Sequence, residues 1–218
     1  MTVVGTAGAG IVFGLALAAP PGPMNAIIAE ESVRRGWRAG FKTGLGAMSA
    51  DLLFLGLALA GVVAVVRDRP ALQDATFLVG GVLMLYFAYG ALRGTREAFR
   101  AEKTTERRGF SKAFVLSLTN PYQILFWLTA GVGLLTPGRV DVLSYASESL
   151  SGLVVVETGS VALVVGLFGG VAVWIVAFPA ALTAAAARTD RFAPAVAYGS
   201  ALVLAAFGLY FVGNAIVG

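Results

Sequence analysis

The sequence contains no cysteine and no histidine, and only 13% of its 218 residues are charged. The lack of cysteine excludes disulfides and thiol redox chemistry. The lack of histidine removes the commonest metal ligand and the commonest general base. So few charges exclude a disordered chain and a surface built to bind nucleic acid. No nucleotide-binding loop is present either. We therefore expect no enzyme, no metal site, no cofactor and no nucleic-acid partner.

Apolar residues, in contrast, are in excess. The chain is 58% hydrophobic and has a mean hydropathy of +0.83. About a quarter of the residues in a typical soluble domain are charged, and a soluble fold of this size still needs a polar surface. The composition therefore predicts a protein that lies in the lipid bilayer.

Six stretches are long and apolar enough to cross the hydrocarbon, which takes about 20 residues. They cover residues 5–29, 43–66, 75–92, 113–135, 160–187 and 194–217. A cleavable signal peptide fits the first stretch less well, because no basic residue precedes Arg34. The sequence thus predicts an all-α integral membrane protein with six transmembrane helices.

The basic residues are concentrated in the gaps after the first, third and fifth stretches. All lysines and arginines lie there except Arg67, Arg69 and Arg139. The positive-inside rule places these gaps in the cytoplasm, and both termini on the other side of the cytoplasmic membrane. We interpret residues 93–112 as a solvated basic loop, with lipid or protein docking as the alternative. Residues 136–159 form the one sizeable outer loop, and no function is assigned to it.

The two halves of the chain share a short pattern. Residues 13–20 and 114–121 have Phe, two Leu and Pro at matching positions. Each copy opens a set of three stretches, so the second set would be inverted relative to the first, as in many secondary transporters. We expect two inverted three-helix repeats, residues 1–92 and 113–218, joined by the basic loop, with broken helices one and four.

The first stretch is interrupted by three prolines and a glycine at residues 20–23. Proline lacks an N–H and its ring clashes with the preceding turn, so the helix must break. Pro23 suits the first position of a new helix, whose free amides would favour a carboxylate. A plain proline kink is the alternative. The candidate substrate-binding residues of this break are Pro21, Gly22, Pro23, Met24 and Asn25.

Asp51 lies well inside the second stretch. A carboxylate there costs at least ~2.5 kcal/mol on insertion scales, so it should face the bundle interior and have a partner or a role. At 1.5 Å per residue, Asp51 is ~12 Å from the cytoplasmic end of its span and the Pro21 break is ~10 Å from the end of its own. We predict that Asp51 binds substrate or a coupling proton. The alternative is that it only hydrogen-bonds the backbone freed by the break.

The fourth stretch should break at Asn120 and Pro121. Asn120 offers both a donor and an acceptor, and it can either contact a ligand or cap the new helix. Tyr122 and Gln123 follow and can line the same space. We expect the tryptophans at 127 and 174 to have packing roles, with gating of a path as the alternative. A carboxylate beside a helix N-terminus can hold both ends of a zwitterion, or bind and release a proton.

At these residues the chain resembles the lysine exporter (LysE/RhtB) family of amino-acid efflux proteins. The resemblance is carried by residues 21–23, by 36–51 from Gly-Trp-Arg-Ala-Gly to the aspartate, by 81–90 and by 110–121. It implies an inner-membrane exporter of amino acids or related zwitterionic or cationic metabolites, driven by the membrane gradient. Many members have lysine after Asn-Pro, where this chain has Tyr122 and Gln123. That departure leaves the substrate open.

Other functions fit the sequence less well. A metal-ion exporter fits poorly, because Asp51 without any histidine or cysteine would make a poor site for a transition metal. A membrane redox carrier with cysteines at its helix breaks is excluded by the absence of cysteine. A membrane scaffold would need neither the aspartate nor the break. The sequence thus favours a secondary active exporter, and we expect it to be coupled to protons. Its glycine-rich faces also permit a homodimer.

Overall fold

The structure is a computed structural model that describes residues 2–61, 70–97, 107–141, 155–189 and 191–217. It is dominated by helices. In chain order these are α1 (Val3–Ala18), α2 (Pro23–Arg35), α3 (Trp37–Leu59), α4 (Pro70–Glu97), α5 (Arg107–Leu118), α6 (Pro121–Phe126), a π-helical turn (Trp127–Gly131), α7 (Val132–Leu135), α8 (Val161–Ala186) and α9 (Phe192–Val217). Two short strands, β1 (Gly138–Asp141) and β2 (Val155–Thr158), lie between α7 and α8.

The first predicted span is broken where its prolines occur. The axes of α1 and α2 differ in direction by 81°. Gly22 occupies the position before α2 and Pro23 is the first helical residue, as the sequence predicts. At the other end of α2, Gly36 adopts a φ of +84°, which lets the chain turn directly into α3.

The fourth predicted span is also broken. Helix α5 ends at Leu118, and α6 begins at Pro121 with Asn120 as its N-cap. The break before α2 is longer, since it runs from Ala19 to Gly22. The proline that starts the new helix therefore corresponds to Pro23 rather than to Pro20, the residue matched by the sequence pattern.

The described residues agree with a multi-pass membrane protein. Three helices are long and apolar enough to span a bilayer, namely α3, α8 and residues 192–213 of α9, and α1 with α2 makes a fourth if the bent pair is one span. Shorter apolar segments cover 77–89 within α4 and 109–118 within α5. Each of the six predicted stretches thus contains helix, although only these three or four meet the length and composition of a span.

Small residues allow the helices to pack closely. Helix α1 packs along α8, and a Cβ at Gly10 or Gly14 would collide with backbone carbonyl oxygens of α8. Helix α4 packs along α9 where Gly81 lies next to Gly208. Helix α3 packs along α5, with Gly46 against the carbonyl oxygen of Phe110. These contacts explain the glycine-rich faces as packing surfaces within one bundle.

The outer loop and the basic loop differ from their expected form. β1 and β2 pair antiparallel, with Gly138 opposite Thr158, a feature that the all-α prediction lacks. Residues 142–154 of the outer loop lie outside the described residues. Helix α4 continues to Glu97 and α5 begins at Arg107, so both ends of the expected basic loop are helical. Residues 98–106, like Arg67 and Arg69, lie outside the described part of the chain.

Candidate substrate-binding site

A cavity of about 210 Å³ lies at the two helix breaks. It is lined by residues of α1, α2, α3, α6 and α8 and of both breaks. Its volume is below the ~300 Å³ at which drug-sized ligand pockets begin, which suits a molecule the size of an amino acid. The polar side chains in the lining are Asn25, Asp51, Asn120, Tyr122, Gln123 and Trp174.

The structure brings most of the predicted site residues to this cavity. Those that line it are Gly22, Pro23, Met24, Asn25, Asp51 and Asn120. The other two do not: Pro21 is exposed, and Pro121 is buried and lies next to Gly80. Pro20 lines the cavity in place of Pro21.

Asn25 repairs the broken backbone. Its side-chain amide donates to the carbonyl oxygens of Ala18 and Pro20, at 2.6 and 2.9 Å. Its own oxygen accepts a hydrogen bond from the indole of Trp174 at 3.0 Å. Carbonyl groups freed inside a membrane need such partners, because lipid offers none. Asn25 thus hydrogen-bonds the backbone freed by the break, which was the alternative role expected of Asp51. The indole of Trp174, on α8, holds the Asn25 side chain in place.

The N-terminus of α2 faces the site without a side-chain cap. Gly22 provides no capping side chain, and Pro23 has no N–H. The next two residues, Met24 and Asn25, line the cavity. Within the described residues their backbone N–H groups have no hydrogen-bond acceptor. Two unpaired donors at the positive end of a helix create a place for an anionic group.

Asp51 is held by side chains of the fourth predicted span. One carboxylate oxygen, Oδ1, accepts hydrogen bonds from Gln123 Nε2 at 2.6 Å and from Trp127 Nε1 at 2.8 Å. These donors lie four residues apart, so they share one side of the chain across the junction of α6 and the π turn. Among the described residues, Oδ2 has no donor. Asp51 therefore keeps one oxygen available for a cation in the cavity.

Asn120 acts as a helix cap, which was one of its two predicted roles. Its side-chain oxygen accepts from the backbone N–H of Tyr122 at 3.1 Å. The side chain is buried, and its amide nitrogen has no acceptor in the part of the chain that the structure describes. A capped helix leaves fewer free amides, so the N-terminus of α6 is a weaker anion site than that of α2.

The rest of the wall is apolar. Leu17, Ile28, Met48, Phe126, Val171 and Ile175 contribute to it. No lysine or arginine lines the cavity, and Asp51 is the one charged residue in the lining that the structure describes. The cavity can therefore compensate one positive charge with a side chain and one negative charge with backbone amides.

Sequence reasoning missed the two tryptophans at this site. It gave Trp127 and Trp174 packing roles, yet the indoles hold Asp51 and Asn25, respectively. Trp127 does pack as well, since it is 3% exposed and stacks on Phe168. A usable signal existed, because an indole N–H within a membrane span needs an acceptor.

We expect Trp127→Phe to raise the substrate concentration for half-maximal export about tenfold. The change removes a hydrogen bond to a charged group, which contributes about 1.5–3 kcal/mol, and leaves Gln123 alone to orient the Asp51 carboxylate. Export kinetics across a concentration series would measure this. Trp37→Phe is the matched control, because the Trp37 indole binds the Val176 carbonyl away from the cavity. Equal shifts in both variants would contradict a specific role of Trp127.

Comparison with known proteins decides the family. The model of the LysE type translocator family matches residues 15–215. The chain belongs to this family. The resemblance found in the sequence is confirmed, and the family is one of translocators, in agreement with the expected class of protein. No solved structure matches the chain.

Three relatives are similar to parts of this LysE-type chain. A putative amino acid efflux protein of Bacillus subtilis, YcgF, is 34% identical over 54% of this chain and 58% of its own length. An uncharacterized membrane protein of Pseudomonas aeruginosa, PA4757, is 30% identical over 66% of this chain and 67% of its own. A leucine efflux protein of Salmonella choleraesuis is 32% identical over 50% of this chain and 53% of its own. The chain thus spans little more than half the length of two of them.

Proposed function

We propose that this translocator exports amino acids across the cytoplasmic membrane. The observation that carries the proposal is the placement of Asp51 and the uncapped N-terminus of α2 in one cavity. The relatives named for amino acid efflux and leucine efflux support the same substrate class. In this account the α-ammonium group binds Asp51, and the α-carboxylate binds the amides of Met24 and Asn25.

The apolar wall favours amino acids with uncharged side chains. Once Asp51 pairs with the α-ammonium group, a lysine side chain would meet no second anion in the described lining. A glutamate side chain would meet no cation there. Burying an unpaired charge is costly, so both should be rejected, whereas leucine or methionine would lie against Met48 and Ile175. This narrows the wider expectation of zwitterionic or cationic metabolites.

Proton coupling follows from the same carboxylate. Asp51 can hold either a proton or a substrate ammonium group, because each neutralises its single charge. Competition for one site converts a proton gradient into export when access alternates between the two sides of the membrane. We propose that the protein exchanges an outgoing amino acid for an incoming proton at Asp51.

The packing supports the proposed inverted repeat. Helix α1, the first half of the first broken span, packs along α8, and α5, the first half of the fourth, packs along α3. Since α3 and α8 are the second helices of the two halves, these pairs correspond to each other. The third helices, α4 and α9, pack on one another. A pseudo-two-fold relation would produce this arrangement. The domain limits, the orientation of the termini and a homodimer remain predictions.

A metal-ion exporter gains no support. Among the described residues, no group of three or more aspartate, glutamate, histidine or cysteine side chains could hold a metal ion. The cavity offers one carboxylate among amides and apolar groups, which is too few ligands for a divalent cation.

The class of substrate is tested by an extracellular amino-acid profile. Cells fed mixed dipeptides would carry either the transporter or an empty vector. We expect a selective excess of a few apolar amino acids outside the cells with the transporter. Identical profiles, with the protein shown to be present in the membrane, would contradict export of amino acids.

Side-chain selectivity is tested by adding a second anion to the wall. Met48 lies one turn from Asp51 on the same face of α3 and lines the cavity. We expect Met48→Asp to gain lysine export and lose most leucine export, since a second carboxylate can pair with the lysine side chain. Met48→Leu, the matched control, should keep leucine export and reject lysine. Lysine export by the wild type at the leucine rate would contradict the proposed selectivity while leaving amino-acid export intact.

A further inference from the structure

A cluster of charges around a buried carboxylate lies outside the cavity, where α2 meets α5. Glu30 is only 3% exposed, which is unusual for a carboxylate. Its Oε1 accepts a hydrogen bond from Arg34, on the same helix, at 2.8 Å. Its Oε2 accepts one from Lys112, on α5, at 3.2 Å. The cavity chemistry makes no use of these residues, so their burial requires a separate explanation.

Lys112 connects three helices. Besides its ion pair with Glu30 on α2, its ammonium group lies over the ring of Phe87 on α4, 5.0 Å from the ring centre. Apolar residues could fill this space at no desolvation cost, and a buried ion pair is weak evidence for stability alone. A charged contact between helices has a different use, because it can form in one conformation and be hydrated in another.

The cluster lies at a similar distance from the two breaks. Glu30 follows Pro23 by about 10 Å of helix, and Lys112 precedes Asn120 by about 12 Å. Between this level and the cavity, Ile27 and Leu116 are fully buried and the hydroxyl of Ser117 contacts the sulfur of Met24 at 2.9 Å. Along α2 and α5, the cluster and this apolar layer therefore lie between the two breaks and the end of the bundle that carries Arg34, Arg35, Arg38 and Lys42, which we call the basic end.

The opposite half-helices are arranged differently. Helix α1 packs on α8 and β2, whereas α6 packs on α4 and α5. Pro20 and Tyr122, which line the cavity toward that side, are both exposed. The two half-helices at the basic end, α2 and α5, pack on each other and are also joined by the ion pair. At the basic end, then, packing and an ion pair both hold the two half-helices together.

We propose that the contact between Glu30 and Lys112 is a gate that closes the cavity at the basic end. In the proposed orientation this is the cytoplasmic side, from which an exporter must load its substrate. The gate has to open for loading and close before release. This inference rests on the proposed function, since only a transporter needs access from two sides in turn.

The absence of cysteine from the chain makes the gate directly measurable. Met48→Cys places a single thiol in the cavity wall. A membrane-impermeant maleimide, applied to inverted or right-side-out vesicles, reports how fast the cavity is reached from each face. The variants Glu30→Gln and Lys112→Gln, each added to Met48→Cys, remove one partner of the ion pair. Glu31→Gln is the matched control, because Glu31 is also buried but pairs with Arg35 on its own helix, at 3.1 Å.

We expect Glu30→Gln and Lys112→Gln each to speed labelling from the basic face by about tenfold, since removing one partner of a buried pair is strongly destabilising. The double variant should label no faster than the more affected single variant, because both changes break one contact. Glu31→Gln should label at the parent rate. Because the ion pair is broken in two separate variants, the test still works if one of them fails to insert into the membrane. Unchanged labelling, or an equal increase in Glu31→Gln, would overturn the gate. Because labelling requires no transport, an absence of amino-acid export would refute the proposed function separately.

Discussion

Asp51→Asn should abolish amino-acid export while the protein still inserts into the membrane. Asparagine has nearly the same shape and can still accept from Gln123 and Trp127 through its oxygen, so the cavity should keep its form. It cannot carry the negative charge that binds an ammonium group, and it cannot take up a proton. We expect export at least a hundredfold below the wild type, because both steps of the exchange depend on this charge. The measurement is the extracellular amino-acid profile at equal membrane abundance.

Asp74→Asn is the matched control for this result. The same chemical change is made at Asp74, an exposed residue near the start of α4 that does not line the cavity. Export by Asp74→Asn should equal that of the wild type. Undiminished export by Asp51→Asn would remove the aspartate from the mechanism, whatever the control shows.

Asn25→Asp should have the second large effect, through the backbone of the break. The substitution keeps the shape of the side chain but replaces the amide that donates to the carbonyls of Ala18 and Pro20. A carboxylate oxygen would then face those carbonyl oxygens at distances of 2.6 to 2.9 Å. Both carbonyl oxygens would lose a donor that lipid cannot replace, and the added negative charge would repel a substrate carboxylate. We expect low membrane abundance and no measurable export.

A second substitution separates the loss of the Asn25 hydrogen bonds from the effect of the added charge. Asn25→Ala removes the same hydrogen bonds without adding a charge, so it should lower abundance but leave some export by the protein that inserts. Trp174→Phe, which removes the donor to Asn25 at 3.0 Å, should have a milder effect in the same direction. Normal abundance and export in Asn25→Asp would show that the break does not need this side chain.

The sequence was informative where a residue is incompatible with its surroundings. Three prolines and a glycine within four residues disrupt a helix and Asn-Pro suits the start of a new one, so both breaks were predictable, down to the start of α2 at Pro23. A carboxylate within a membrane span is costly unless it has a partner or a function, so Asp51 was predictable as a candidate site residue. The helical rise placed Asp51 at the level of the first break, and the structure has both in one cavity.

The partners of these residues could not be predicted in the same way. Trp127 lies on the fourth span, and its contact with Asp51 depends on how that span is rotated and on the π turn that begins there. Trp174 lies far along the chain from Asn25, and the packing of α2 on α8 brings them together. Both contacts depend on tertiary geometry, which hydropathy and helix periodicity do not determine. The β1–β2 hairpin was missed for a similar reason, because short pairs of strands outside the bilayer leave little pattern.

Counterflow in liposomes containing the purified protein tests the central claim, that the cavity at the two breaks binds amino acids, most directly. Vesicles loaded with unlabelled leucine would be diluted into buffer with a trace of labelled leucine, with no ion gradient imposed. We predict a transient accumulation of label with the wild type and Asp74→Asn, and none with Asp51→Asn. Leucine inside should support this uptake and lysine inside should not. Accumulation by Asp51→Asn equal to that of the wild type would contradict the account.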